Sequence, residues 1–207
     1  MERLDEFFDR IKNEFVAAFK YYKGRDKNKY YGDRFEEWVV KSSNISKITY
    51  NNSNNGDPFW QFLEWRGDKY IDGYCPLSSS SPDLLLKCIG KKNSLNYKSE
   101  EIIAVECKWR SKKDFRLDKK NIEKYEEYMR NSEWKHPIKE LFYVFGFGWS
   151  NDNPESVYVI PAEVLYKYDK DSHEIIFPNE TVEEKIKRLS SYEAKTKYLM
   201  YNLDLFN

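Results

Sequence analysis

The stretch "AVECKWR", Ala104 to Arg110, decides how this chain is read. Ile102, Ile103, Ala104 and Val105 form an unbroken apolar run rich in β-branched residues, which predicts a buried strand. Side chains alternate between the two faces of a strand. Glu106 and Lys108 therefore share one face, and Cys107 points to the other as a small core residue. An acid and an ammonium at the end of a buried strand are either an ordinary ion pair or half of an active site. The first reading is cheap, because an exposed pair contributes only ~0–1 kcal/mol and arises easily in a chain with 34% charged residues.

The flanking sequence supplies a partner. "SPDLLLKC" places Pro82-Asp83 directly before a second apolar run, and "NSLNYKSE" (93–100) turns the chain back towards Ile102. If the two strands pair as a hairpin, Asp83 and Glu106 meet at the sheet edge. Two carboxylates and a lysine converging there suit phosphodiester hydrolysis. Carboxylate oxygens hold a hard cation such as Mg²⁺. The cation neutralises charge on the phosphoryl oxygens and acidifies a bound water. The lysine orients that water or stabilises the transition state.

Periodicity organises the rest. Leu4, Phe8, Ile11, Phe15, Phe19 and Tyr22 predict an amphipathic helix within residues 1–23, and "GDRFEEWVVKS" (32–42) a second helix. "FWQFLEWRG" (59–67), "ELFYVFGFGWS" (140–150) and "SVYVIPAEVL" (156–165) read as strands, with turn-rich "NNSNNGDP" (51–58) and "NDNPE" (151–155) as loops. "NIEKYEEYMRN" (121–131) is helical, and "TVEEKIKRL" (181–189) opens with a Thr-x-x-Glu capping box. The expectation is one α/β domain over residues 1–207, with a core at 30–165 and a helical extension at 166–207.

Composition narrows the function classes. The 207 residues are 40% hydrophobic and 17% aromatic, enough to build a core, so the chain is not disordered. Net charge is zero, so only local clusters bear on nucleic acid. No apolar run approaches the ~20 residues of a membrane span. The acidic, amphipathic N-terminus is unlike a signal peptide, and Cys75, Cys88 and Cys107 show no paired spacing. Reduced thiols in a cytoplasm are the expectation. His136 and His173 lie far apart, which argues against histidine-built zinc sites.

"PD" followed by "ECK" resembles the motif of the PD-(D/E)XK nucleases, the restriction-endonuclease-like superfamily. "GDRFEEWVV" supplies Gly32 and Glu36 where that family has a glutamate on an early helix. "NIEKY" supplies Asn121 and Tyr125 at the spacing of a Gln-x-x-x-Tyr helix found in some branches, with asparagine in place of glutamine. The resemblance implies a three-layer α/β/α domain with a mixed central β-sheet flanked by helices. It also implies a Mg²⁺-dependent endonuclease acting on DNA, with Mn²⁺ as a substitute. Asp83, Glu106 and Glu36 would be catalytic and metal-binding, the Cys107 carbonyl a further ligand, Lys108 the water-positioning group, and Asn121 and Tyr125 accessory. A homodimer would bring two such sites to the two strands.

Charge patterning agrees. Lys108 to Lys120 contains seven basic residues against Asp114 and Asp118, and Lys20 to Arg34 six against Asp26 and Asp33. Both flank motif residues, as expected where phosphates bind on one side; solvated lysine-rich loops are the plainer account. Six tryptophans could include base-stacking platforms, with core packing as the plainer account. Two other functions use the same fold: an inactive nucleic-acid-binding module, and a protein-interaction domain without nucleic acid.

Overall fold

The computed structural model describes residues 27–43, 45–46, 60–65, 81–89, 97–131, 137–150 and 153–194. The expected N-terminal helix, the 51–58 loop and most of the 77–82 loop lie outside the described residues. Helix α1 (Lys27–Ser42) leads into β1 (Ile45–Ser46), β2 (Trp60–Trp65), β3 (Leu84–Cys88) and β4 (Ile102–Arg110). Helix α2 (Lys119–Asn131) then connects to β5 (Ile138–Phe147) and β6 (Ser156–Pro161). A short α3 (Ala162–Leu165), β7 (Lys167–Tyr168), β8 (Ile175–Ile176), α4 (Val182–Leu189) and β9 (Glu193–Ala194) follow.

Seven strands form one mixed sheet in the order β1-β2-β3-β4-β5-β6-β9, so the fold is α/β. β3 and β4 pair antiparallel, whereas β4 and β5 pair parallel across the α2 crossover. The β3–β4 hairpin closes through Cys88 and Glu101, with Glu100 at a φ of 74°.

Alternation along the strands separates two cores. Leu84, Leu86, Ile103, Val105, Val144 and Val157 face α1, where Phe35, Val39 and Val40 cover them. Leu85, Ala104, Tyr143, Phe145 and Ile160 face the other way, towards Ile122 and Tyr125 of α2 and Leu189 of α4. Each fully buried Phe or Leu contributes about 1.5–3 kcal/mol of burial. Gly146 lets α1 come this close: a Cβ there would lie 2.2 Å from the Phe35 ring.

Four expectations need correction. α1 begins at Lys27 rather than Gly32, and Gly32 sits inside it with open space at its Cβ position. The strand expected over 156–165 stops at Pro161. Proline offers no backbone N–H to continue a ladder, and the chain turns into α3, which buries Ala162 and Leu165. The 166–207 segment is not a helical extension across its described part. It holds three two-residue strands beside α4, and β9 pairs antiparallel with β6 in the main sheet, where Glu193 also accepts from the Tyr158 hydroxyl at 2.8 Å. The β3–β4 hairpin occupies central positions in the sheet, not its edge. The Thr181 capping box, in contrast, forms as read.

Candidate active site

Strand length creates the site. β3 starts at Leu84, which pairs with Val105, so the ladder between β3 and β4 ends there while β4 runs on to Arg110 beside β5. From Glu106 onward, no strand among the described residues lies along that edge of β4. Asp83 fills that gap. The Cys107 N–H donates to Asp83 Oδ2 at 2.8 Å, a carboxylate standing in for the missing strand. In return the Asp83 N–H donates to Glu106 Oε2 at 3.2 Å. Glu106 is thus fastened through the backbone of Asp83, and Asp83 through that of Cys107. Since N–H and C=O of one residue point to the same edge of a strand, the Cys107 carbonyl also faces the Asp83 side.

Glu106 is 1% exposed and Asp83 5%. The ion pair between Lys108 and Glu106 Oε1 is therefore not an ordinary surface contact. Tyr125, one α2 residue facing the sheet, donates its hydroxyl to the same Glu106 Oε1 at 2.7 Å. A buried carboxylate needs such partners, because desolvation of an unpaired charge is costly. Three donors meet that need here.

Glu36 sits on the α1 side of the sheet, where Trp65 Nε1 donates to its Oε2 at 3.3 Å. Burial pushes the Cys107 thiol well up, and the charges of Asp83, Glu36 and Glu106 push the same way. Glu36 is thus within electrostatic reach of Cys107 from the α1 side, the opposite face to Lys108. Cys107 itself packs with the α1 core, as alternation requires.

Asn121, one turn before Tyr125, lines a hollow with Lys108 and Tyr125. Arg110, Arg116 and Tyr143 line the same hollow; the two arginines were read only as part of the basic 108–120 segment, and Tyr143 was not singled out. Arg110 was legible, being two residues beyond Lys108 on the same face. Tyr143 was not, because only the β4–β5 register sets it beside Glu106. Part of the basic 108–120 segment is neutralised locally. Arg116 pairs with Asp114 at 2.7 Å, and Lys113 turns to the Tyr158 hydroxyl at 2.7 Å. Trp109 stacks on Tyr31 with centroids 4.6 Å apart, so its packing role is the observed one.

No family model, curated protein or solved structure matches this chain.

Among the described residues, no three His, Cys, Asp or Glu side chains converge as a ready-made metal site. A zinc-type cage is not formed by them. Mg²⁺ asks for less: one or two carboxylates, with waters and substrate oxygens completing the shell. Asp83 and Glu106, adjacent and all-oxygen, fit that requirement, with the Cys107 carbonyl on the same side.

No described helix is long and apolar enough to cross a membrane.

Proposed function

We propose that this chain is a metal-dependent nuclease that hydrolyses DNA phosphodiester bonds, on a restriction-endonuclease-like domain. One observation carries the reading: Asp83, just before β3, and Glu106 on β4 are locked together through the Cys107 and Asp83 N–H groups, with Lys108 on the other oxygen of Glu106. An ordinary buried ion pair has no need of a second carboxylate at its side.

Asp83 and Glu106 would hold Mg²⁺ or Mn²⁺, with the Cys107 carbonyl as a further ligand and Glu36 holding a water or a second ion. The bound ion supplies charge neutralisation at the phosphoryl oxygens and an acidified water. The chain's own residues do the rest. The Cys107 N–H fixes the Asp83 carboxylate, and Tyr125 fixes that of Glu106. Preorganised groups of this kind need not reorient as charge develops. Lys108 is a compact cation with three donors, one of them engaged by Glu106. Its remaining donors suit the attacking water and a phosphoryl oxygen.

A second reading is favoured by one feature. Glu106 already has both oxygens engaged, by Lys108 and Tyr125 on one and by Asp83 on the other. A carboxylate so fully paired suits a module that keeps the fold and binds nucleic acid without cutting it.

The deciding experiment is cleavage of duplex, flap and single-stranded DNA with Mg²⁺, with Mn²⁺ and with chelator. Cleavage that needs the metal and disappears in Asp83→Ala and Lys108→Ala is the expected result. Salt-dependent DNA binding without cleavage would move the chain to the second reading. Binding of neither metal nor DNA would leave a protein-interaction domain.

A further inference from the structure

We propose that the hollow on the α2 side of Glu106 is a phosphate subsite. It would take a phosphate of the nucleic-acid strand other than the one being cleaved, and so rests on the nuclease reading. Its size comes first. The hollow measures about 60 Å³, far below the ~300 Å³ at which pockets for drug-sized ligands begin. A phosphate-sized group suits that volume.

Its chemistry is one-sided. Lys108, Arg110 and Arg116 line it, the first paired with Glu106 and the last with Asp114, and Asp118 is the only carboxylate among the lining residues. Asp118 is already occupied, since its Oδ1 accepts from the Lys120 N–H at 2.8 Å as it caps α2. The 13-residue α2 starts beside the hollow, and its N-terminal end carries partial positive charge. Arg110 uses one Nη1 contact, to the Trp109 carbonyl at 2.9 Å, out of five donors.

The second observation is independent of charge. Tyr143 also lines the hollow and is 1% exposed; its buried hydroxyl makes no well-formed hydrogen bond, the Tyr166 hydroxyl being the side-chain partner within its reach. Buried hydroxyls are almost always satisfied. Among the charged side chains that line the hollow, Asp118 alone is an acceptor, so a Tyr143 hydroxyl turned into it meets mainly cationic donors. A phosphate supplies several acceptor oxygens at once, and Arg recognises it with two parallel bonds. Lys108 belongs to both places: it pairs with Glu106 and lines the hollow. A strand held there is therefore held next to the cleaved bond.

The test uses the full chain and two readouts. Inorganic phosphate is titrated calorimetrically into wild type, Arg110→Gln and Tyr143→Phe without divalent metal. Saturable binding in wild type, weakened about tenfold or more in both variants, is expected, since each loses a bond to a charged acceptor. Tyr143→Phe removes only the hydroxyl, and thermal melts check that each variant is folded. No saturable binding, or binding unchanged in both folded variants, would overturn the proposal even if DNA is cleaved. Absent cleavage with intact phosphate binding would overturn the nuclease reading and leave the subsite standing. For the source of the phosphate, oligonucleotides with hydroxyl or phosphate ends are compared. A phosphorylated end that lowers KM in wild type but not in Arg110→Gln marks a terminal phosphate. An Arg110→Gln loss that is equal for all ends marks an internal phosphodiester.

Discussion

Replacing Lys108 with methionine isolates the energetic role of the Glu106 pair. Methionine keeps most of the lysine stem and removes the ammonium. Glu106 stays behind, 1% exposed, with the Tyr125 hydroxyl at 2.7 Å and the Asp83 N–H at 3.2 Å as remaining partners. Breaking a buried pair from one side costs about 3–5 kcal/mol. Two surviving hydrogen bonds to the carboxylate place the expected loss at the low end, about 3 kcal/mol. With a urea slope of ~2–3 kcal/mol/M, the unfolding midpoint should fall by ~1–1.5 M. Adding Glu106→Gln removes the stranded charge at nearly constant volume. The double variant Lys108→Met, Glu106→Gln should therefore recover at least half the loss, a coupling that only contacting residues show. Urea unfolding followed by circular dichroism measures all four proteins. A loss below ~1 kcal/mol would put the pair in the range of exposed ion pairs and refute the reasoning. A double variant no more stable than Lys108→Met would refute it as well.

Calorimetric titration of Mg²⁺ should separate the two halves of the site: Asp83→Ala loses a ligand and weakens binding, whereas Lys108→Ala binds the ion as well or better because a nearby positive charge has gone. Gly146→Ala should destabilise the domain by ~1–3 kcal/mol in thermal melts, because the new Cβ would lie 2.2 Å from Phe35 between α1 and the sheet. Burial raises the Glu64 carboxyl above its usual 4.5, with the Tyr128 hydroxyl opposing the shift. The folded state then keeps a proton that the unfolded chain has released, so stability from this group is present below pH 4.5 and is lost as pH rises through the folded value. Glu64→Gln should accordingly gain stability relative to wild type between pH 4 and pH 7, and a flat difference in urea midpoints across that range would contradict this.

Local pattern was enough for much of this protein. The apolar run at 102–105, the capping box at Thr181 and the helical spacing of Ile122 and Tyr125 all report interactions within a few residues, and each appears where the sequence puts it. Alternation also determined that Glu106 and Lys108 share a face while Cys107 joins the other core. The nearness of Asp83 to Glu106 followed from the hairpin, a connection short enough to read. What lay beyond the sequence depended on partners far along the chain. That β4 outruns β3, leaving an N–H for Asp83 to cap, is a matter of strand register. The end of the strand at Pro161 and the joining of β9 to the sheet were settled by which surfaces the last elements could bury. Tyr125 reaches Glu106, and Tyr143 stands beside it, only because α2 crosses over to bring β5 parallel to β4. A side chain's own sequence position fixes its face; the neighbour it meets there is chosen by the packing of the whole sheet.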